Sequence, residues 1–268
     1  KWNQSIPGKP GQKTWPDVPF SRHRLSMAAS QFADAALCFS FPPKRDSDGK
    51  FGVWDELRCG AENRVGWLGR PEGKAIHLAM RVAGAKKLDL VKEVVDGRTR
   101  ITAKRVPMAG SDIFVTMYVQ GKPREGYPEE MARFASVTLR KSDDSSTIGE
   151  TMTWVNDKSF RSTFYFHGIG ASAVDLVVEV EGEEAVEIDS ISSHYHSDIM
   201  ARVFENGLIL ANPGREPYTF DLNAISPGRK YRRLMATAKQ DRVTNNGKPV
   251  GGTVTLGERD ALFLMRVR

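Results

Sequence analysis

Between Arg98 and His194 the chain alternates apolar and polar residues in short runs: "RTRITAKRV", "DIFVTMYVQG", "FASVTLRK", "ETMTWVND", "RSTFYFHG", "AVDLVVEVEG" and "AVEIDSISSH". In "AVDLVVEVEG", Val174, Leu176, Val178 and Val180 share one face, and Asp175, Glu179 and Glu181 share the other. Phe164 and Phe166 fall on the inward parity of their run. Seven or so strands with Gly, Asp, Asn or Lys between them predict a mainly β fold, an antiparallel β-sandwich or jelly roll. The texture turns β again after Ala201, in "VFENGLILANP", "PYTFDLN", "YRRLMAT", "GGTVTLG" and "DALFLMRV". These predict a second small C-terminal β-sandwich, with Asn245, Asn246 and Gly247 marking a tight turn.

The beginning of the chain reads differently. Residues 1–20 hold four prolines and two tryptophans and predict an irregular segment. Leu25, Ala28, Ala29, Phe32 and Ala36 fall at helical spacing behind Ser21, a candidate N-cap, and predict a helix over about 22–34. "AALCFSF", closed by Pro42 and Pro43, predicts a buried strand, so the N-terminal part reads as a helix–strand remnant. The expected divisions are 1–75, 76–200 and 201–268.

The chain has 268 residues, 40% hydrophobic and 27% charged, and carries a net charge of +6. The 39 basic residues lie scattered among 33 acidic ones, which argues against a nucleic-acid track. No apolar run approaches the roughly 18 residues of a membrane span. The two cysteines, Cys38 and Cys59, match no zinc spacing and read as buried thiols or a single bridge. A start at Lys1, with neither Met nor a signal peptide, reads as a processed product or a fragment. Motifs for serine hydrolysis, phosphate loops and dinucleotides are missing, and no organic cofactor is expected.

Candidate chemistry concentrates in "FGVWDELRCGAENRVGWLGRP", residues 51–71. Trp54 and Trp67 are candidates to stack on sugar rings, and Asn63, Asp55 or Glu56 to accept hydroxyl hydrogen bonds. Asp55 and Glu56 are also the best catalytic candidates, although adjacent carboxylates reach one site only if the backbone twists between them. The alternative is that both tryptophans pack beneath the loop while Arg58, Arg64 or Arg70 pairs with the carboxylates. In "SSHYHSD", His194, His196 and Asp198 form an incomplete metal set, with Tyr195 a candidate sugar contact. Tyr127, between Gly126 and Pro128, and Trp154, in an alternating strand, complete the ligand-binding candidates.

The run "VFENGLILANPGREPYTFDL", with "YRRL" and "TNNGKPVGGTVTLGERDALFLMRV", resembles the small β-sandwich that closes many (β/α)8-barrel glycoside hydrolases. The helix, "AALCFSF" and "VWDEL...NRVGWLGRP" resemble the last helix–strand–loop unit of such a barrel. The two pieces cover about 20–75 and 202–268. Residues 85–200 resemble jelly-roll carbohydrate-binding modules through "FVTMYVQGKP", "FRSTFYFHG" and "VDLVVEVEGEEAVEIDSISSH". Such modules often end in a strand with two aspartates; here Ser190 follows Asp189, which bears on whether Asp189 helps hold a structural calcium. The resemblance implies the carboxyl end of a secreted polysaccharide-degrading enzyme, extracellular or periplasmic, with polysaccharide and the rest of a (β/α)8 catalytic domain as partners. It equally admits a hydrolase site completed by the 51–71 loop, or a structural spacer.

Overall fold

The computed structural model describes residues 19–35, 54–79, 90–108, 111–123, 132–194, 197–238 and 240–267. They fall into two compact units divided at Leu78/Ala79 and Ser197/Asp198. A terminal unit is built from chain before Ala79 and after Ser197, and a middle unit from Ala79–Ser197.

The architecture is mainly β and antiparallel, as the alternation predicts. In the terminal unit, β1 (Ile76–His77) opens the sheet, and the middle unit contributes β2 (Leu90–Val95), β3 (Arg98–Pro107), β4 (Ile113–Gly121), β5 (Arg133–Lys141), β6 (Thr147–Val155), β7 (Phe160–Phe166), β8 (Ala173–Glu181) and β9 (Val186–His194). The terminal unit resumes with β10 (Met200–Val203), β11 (Gly207–Asn212), β12 (Tyr218–Asp221), β13 (Lys230–Arg233), β14 (Thr253–Leu256) and β15 (Asp260–Val267).

The middle unit is a sandwich of a five-stranded sheet, β2-β3-β8-β5-β6, and a three-stranded sheet, β7-β4-β9. Its core is the inward parity of each strand: Ile101, Val115, Met117, Val137, Leu139, Phe164, Phe166, Val174, Leu176, Val178 and Val180 are buried together. At about 25 cal/mol per Å² of apolar surface, this burial is the main force holding the two sheets. Arg133 ties the strand ends, donating to the carbonyls of Glu181, Lys122, Glu184 and Gly182.

In the terminal unit the sheet order is β1-β10-β11-β15-β13, and β12 pairs with β14 in a second, two-stranded sheet. The central strands are apolar on both faces. Leu208, Leu210, Leu262 and Leu264 pack with Phe220, Val254, Leu256 and Tyr231, while Ile209, Ala211, Phe263 and Met265 pack with Met27, Ala28, Trp54 and Trp67. The second small sandwich is therefore built with help from the N-terminal segment.

Helix α1 (Phe20–Phe32) begins at Pro19 rather than at a Ser21 cap. Its buried stripe is His23, Arg24, Met27, Ala28 and Ser30; Ala29, expected on that stripe, is exposed. The stripe is rotated because Arg24 is drawn inward to Asp260 and Asp241. The expected strand over 35–41 lies, beyond Ala35, outside the described residues, as does Cys38. Cys59 is a buried free thiol.

Candidate functional site

The 51–71 stretch is described from Trp54 onward. It forms α2 (Asp55–Arg58) and a 3-10 turn over Gly60–Glu62, joined by Cys59 and followed by Asn63, both with left-handed backbone. Trp54 is 4% and Trp67 3% exposed. Trp54 stacks on His23 with centroids 4.5 Å apart and meets the edge of Phe20. Trp67 Nε1 donates to the Glu56 carbonyl at 2.7 Å. Neither indole face is open to a sugar ring, so for these two the packing alternative describes what the structure shows.

The adjacent carboxylates are also buried, and each holds the 235–247 segment. Asp55 accepts from both the backbone N–H and the hydroxyl of Thr237, at 3.0 and 2.9 Å. Glu56 Oε1 accepts from Asn245 Nδ2 at 2.9 Å. Burial pushes both carboxyls up; the Thr237 bonds oppose this for Asp55, and the Arg24 charge and Asn245 oppose it for Glu56. The arginines named in the packing alternative do not pair with them: Arg64 pairs with Glu62 at 3.1 Å, and the cation acting on Glu56 is Arg24. Of the candidates in this stretch, Asn63 alone is exposed.

His23, under Trp54, is held by burial to a pKa of about 4, against 6.5 for an ordinary histidine. The unfolded chain therefore binds the extra proton across that interval, so this contribution to stability is full above pH 6.5 and is lost as pH falls towards 4. The expected result is an acid-side loss of at most about 1.4 kcal/mol per pH unit from His23. Tryptophan fluorescence should change in the same window, because an imidazolium would face the Trp54 ring. A His23 ring resonance titrating at the ordinary histidine pH would contradict this.

Of the metal candidates, His194 and Asp198 are among the described residues and His196 is not. His194 Nδ1 faces the Ala79 carbonyl at 3.1 Å, and Nε2 faces the Ser192 hydroxyl at 3.0 Å. Both ring nitrogens are thus engaged in hydrogen bonds. Asp198 holds His77 Nδ1 at 2.7 Å instead. Among the described residues no group of three His, Cys, Asp or Glu side chains is placed to hold an ion. Tyr127, Tyr195 and His196 lie outside the described residues. Asp189 falls where the pairing of β9 with β4 slips by a residue, and its side chain is likewise outside the description.

Among the described aromatic candidates, Trp154 stands at the surface, 48% exposed. Thr153 and Val155 take the inward parity of β6, which places Glu150, Met152 and Trp154 on the outer face of the five-stranded sheet. Trp154 lies opposite Phe134 in the β5–β6 pairing, and the two rings meet edge to face at 5.7 Å. Such a contact fixes the indole without covering its face. Met152, 52% exposed, lies two residues along the same strand and extends the apolar surface.

Polar groups continue across this face. In register with Met152 stand Ser136, Glu179, Arg100 and Glu93 on successive strands. Arg100 bridges Glu179 at 2.6 Å and Glu93 at 3.5 Å. Five strands at about 4.8 Å spacing make a track of about 19 Å, a length for a short chain of rings rather than one. Phe134 and Met152 were legible by strand parity: each has the parity opposite to Val137 or Val155. The Arg24, Thr237 and Asn245 partners carried no local signal.

No protein-family model matches the chain, and no curated protein matches its sequence significantly. Solved structures similar to it include TmCBM61 in complex with β-1,4-galactotriose, with 12% identity, a TM-score of 0.27, and 36% of this chain and 61% of that one covered. The match therefore spans about three-fifths of that structure's length. The CBM22-1 xylan-binding domain from Paenibacillus barcinonensis Xyn10C has 14% identity, covers 43% of this chain and 83% of that one, and gives a TM-score of 0.26. A carbohydrate-binding module from Cellvibrio mixtus lichenase 5A in complex with cellotriose has 8% identity, covers 45% and 95%, and gives 0.25.

Proposed function

We propose that the chain is a carbohydrate-binding accessory region of a secreted, polysaccharide-degrading glycoside hydrolase, and that it binds its polysaccharide on the outer face of the five-stranded sheet of the middle unit. The observation that carries this reading is the half-exposed Trp154 indole, braced by Phe134 at the end of a polar track. Sugar rings present a C–H face that stacks on an indole and a rim of hydroxyls that needs donors and acceptors. Trp154 and Met152 offer the first, and Glu179 and Arg100 the second. A fixed aromatic loses little conformational freedom on binding, which favours affinity.

The test is depletion from solution by a panel of insoluble and soluble polysaccharides, wild type beside Trp154→Ala and Tyr118→Ala. Tyr118, 40% exposed, is on β4 of the three-stranded sheet and serves as control. Trp154→Ala should weaken binding roughly tenfold to a hundredfold, about 1.4–2.8 kcal/mol, and Tyr118→Ala should leave it unchanged. Equal retention of wild type and Trp154→Ala would sink the assignment of this face.

A second reading has support in the terminal unit, as the place where the rest of a catalytic domain docks. Leu57, Val65, Met235 and Val243 are exposed at 37%, 76%, 48% and 86%. They sit on two loops joined by the Asp55–Thr237 and Glu56–Asn245 bonds. Apolar side chains gathered on tied loops suit a protein partner. In that setting Asn63 is exposed beside Glu62 and Arg64 on the same stretch. A purified partner domain that bound the wild-type chain and a Val65→Asp, Val243→Asp double variant equally would remove this reading.

A further inference from the structure

Three arginines of the terminal unit gather where α1 begins. Arg22 stands in the first turn of α1, Arg215 in the loop between β11 and β12, and Arg259 in the turn between β14 and β15. Hydrogen bonds hold these pieces of chain together. The Arg259 N–H donates to the Gly214 carbonyl at 2.8 Å, and Arg24 holds Asp260, the residue after Arg259, at 2.9 and 3.0 Å. The fully buried Asn212 locks both turns: it donates to the Glu216 and Gly257 carbonyls at 2.8 Å and accepts the Gly214 N–H at 3.0 Å. Arg215 is exposed, Arg22 and Arg259 are half-buried, and none of the three makes a side-chain hydrogen bond or ion pair among the described residues. Burial lowers the Arg22 pKa, and the charges of Arg259 and Arg215 lower it further, with Glu258 opposing. The first turn of α1 holds no acidic side chain and no side-chain cap, so the positive end of the helix adds to the same field.

We propose that Arg22, Arg215 and Arg259 bind a sulfate ester of a sulfated polysaccharide. Like charges held together without a counter-ion cost free energy, and an incoming oxyanion recovers it. A sulfate ester presents three terminal oxygens in a pyramid, one for each guanidinium, whereas a carboxylate presents two in a plane. The planar, weakly hydrated guanidinium suits such an oxyanion better than an ammonium does. A nucleic acid carries a charge on every phosphate and calls for a track of cations. Glu216 and Glu258, both exposed, stand next to Arg215 and Arg259 and interrupt such a track. That pattern suits a polymer with a sulfate set among neutral hydroxyls. The site rests on the reading that the chain binds polysaccharide, but it uses neither Trp154 nor the sheet around it, so the two assignments fail separately.

The experiment is calorimetric titration of the whole chain with dextran sulfate, with neutral dextran as the uncharged control and single-stranded oligodeoxythymidylate as the phosphate polymer. Variants are the Arg22→Gln, Arg215→Gln double variant, Lys230→Gln and Trp154→Ala. Lys230 is exposed and lies opposite Val267, at the other end of β15 from Asp260, so Lys230→Gln removes a charge far from the cluster. Dextran sulfate should bind, more weakly as salt rises, and lose roughly tenfold or more in affinity with the double variant but not with Lys230→Gln or Trp154→Ala. Because the arginines repel one another, the double variant should unfold no earlier than wild type. Absence of dextran sulfate binding, equal affinity in wild type and the double variant, or an equal loss with Lys230→Gln would overturn the proposal. Tighter binding of the oligodeoxythymidylate, lost in the same double variant, would overturn it too, by making the cluster a site for a phosphate polymer.

Discussion

Replacing Arg24 with methionine is expected to destabilise the terminal unit by about 3–5 kcal/mol, the range for removing one partner of a buried charge network. Arg24 is 3% exposed. Its guanidinium donates to Asp241 at 2.7 Å, to both oxygens of Asp260 at 2.9 and 3.0 Å, and to the Ala261 carbonyl at 2.9 Å. Methionine fills much of the volume and keeps the helix, but it leaves two carboxylates and a carbonyl without their cation. It also removes the positive charge that restrains the buried Glu56 carboxyl from taking up a proton. Thermal unfolding should show the transition of the terminal unit fall by roughly 10 °C or more. A loss below about 1 kcal/mol would mean that the network contributes little net stability, as some buried ion pairs do.

Gly60→Ala should cost about 3 kcal/mol or more, by a different route. A Cβ on Gly60 would sit 2.0 Å from the Met235 carbonyl oxygen, and Gly60 has φ +59°. That carbonyl also accepts from the Ala61 N–H at 2.8 Å, so the two backbones meet directly. A left-handed alanine costs roughly 1–2 kcal/mol and overpacking roughly 1–3 kcal/mol. Chemical denaturation with unchanged slope and a lower midpoint would be the signature. A second alanine variant, Gly66→Ala, separates the two costs: Gly66 has φ +63° but open space where its Cβ would go. If both variants lost the same stability, the Met235 contact would carry no weight.

These residues also show where the sequence was legible. The strands of the middle unit announced themselves because a two-residue alternation is both local and repeated, and Val174 to Val180 need no partner to be read as a face. Trp154 and Phe134 were recoverable from the same parity. The 51–71 stretch misled because its composition is that of a ligand rim, while the groups that bury it are far along the chain. Asp55 meets Thr237, Glu56 meets Asn245, and Trp67 lies in a core with Phe204 and Phe263. Asn245 read as part of a tight turn, yet it is 1% exposed and holds Glu56. Local pattern fixes a strand's faces; it says nothing of which distant loop closes over a tryptophan.

The pairing of β1 with β10 has one more implication. Ile76 faces Ala201 and His77 faces Met200, with the Leu78 N–H bonded to the Ile199 carbonyl. In topological terms this is an ordinary hairpin whose connecting loop happens to be an entire sandwich. Closing a loop costs conformational entropy that grows only as the logarithm of its length, so a guest of any size is tolerated there provided that its own ends come together. The bond from His194 to the Ala79 carbonyl draws the two ends of this guest together. A short turn in place of Ala79–Ser197 would leave the host sheet with the same register, which makes this hairpin a natural socket for exchanging one guest for another.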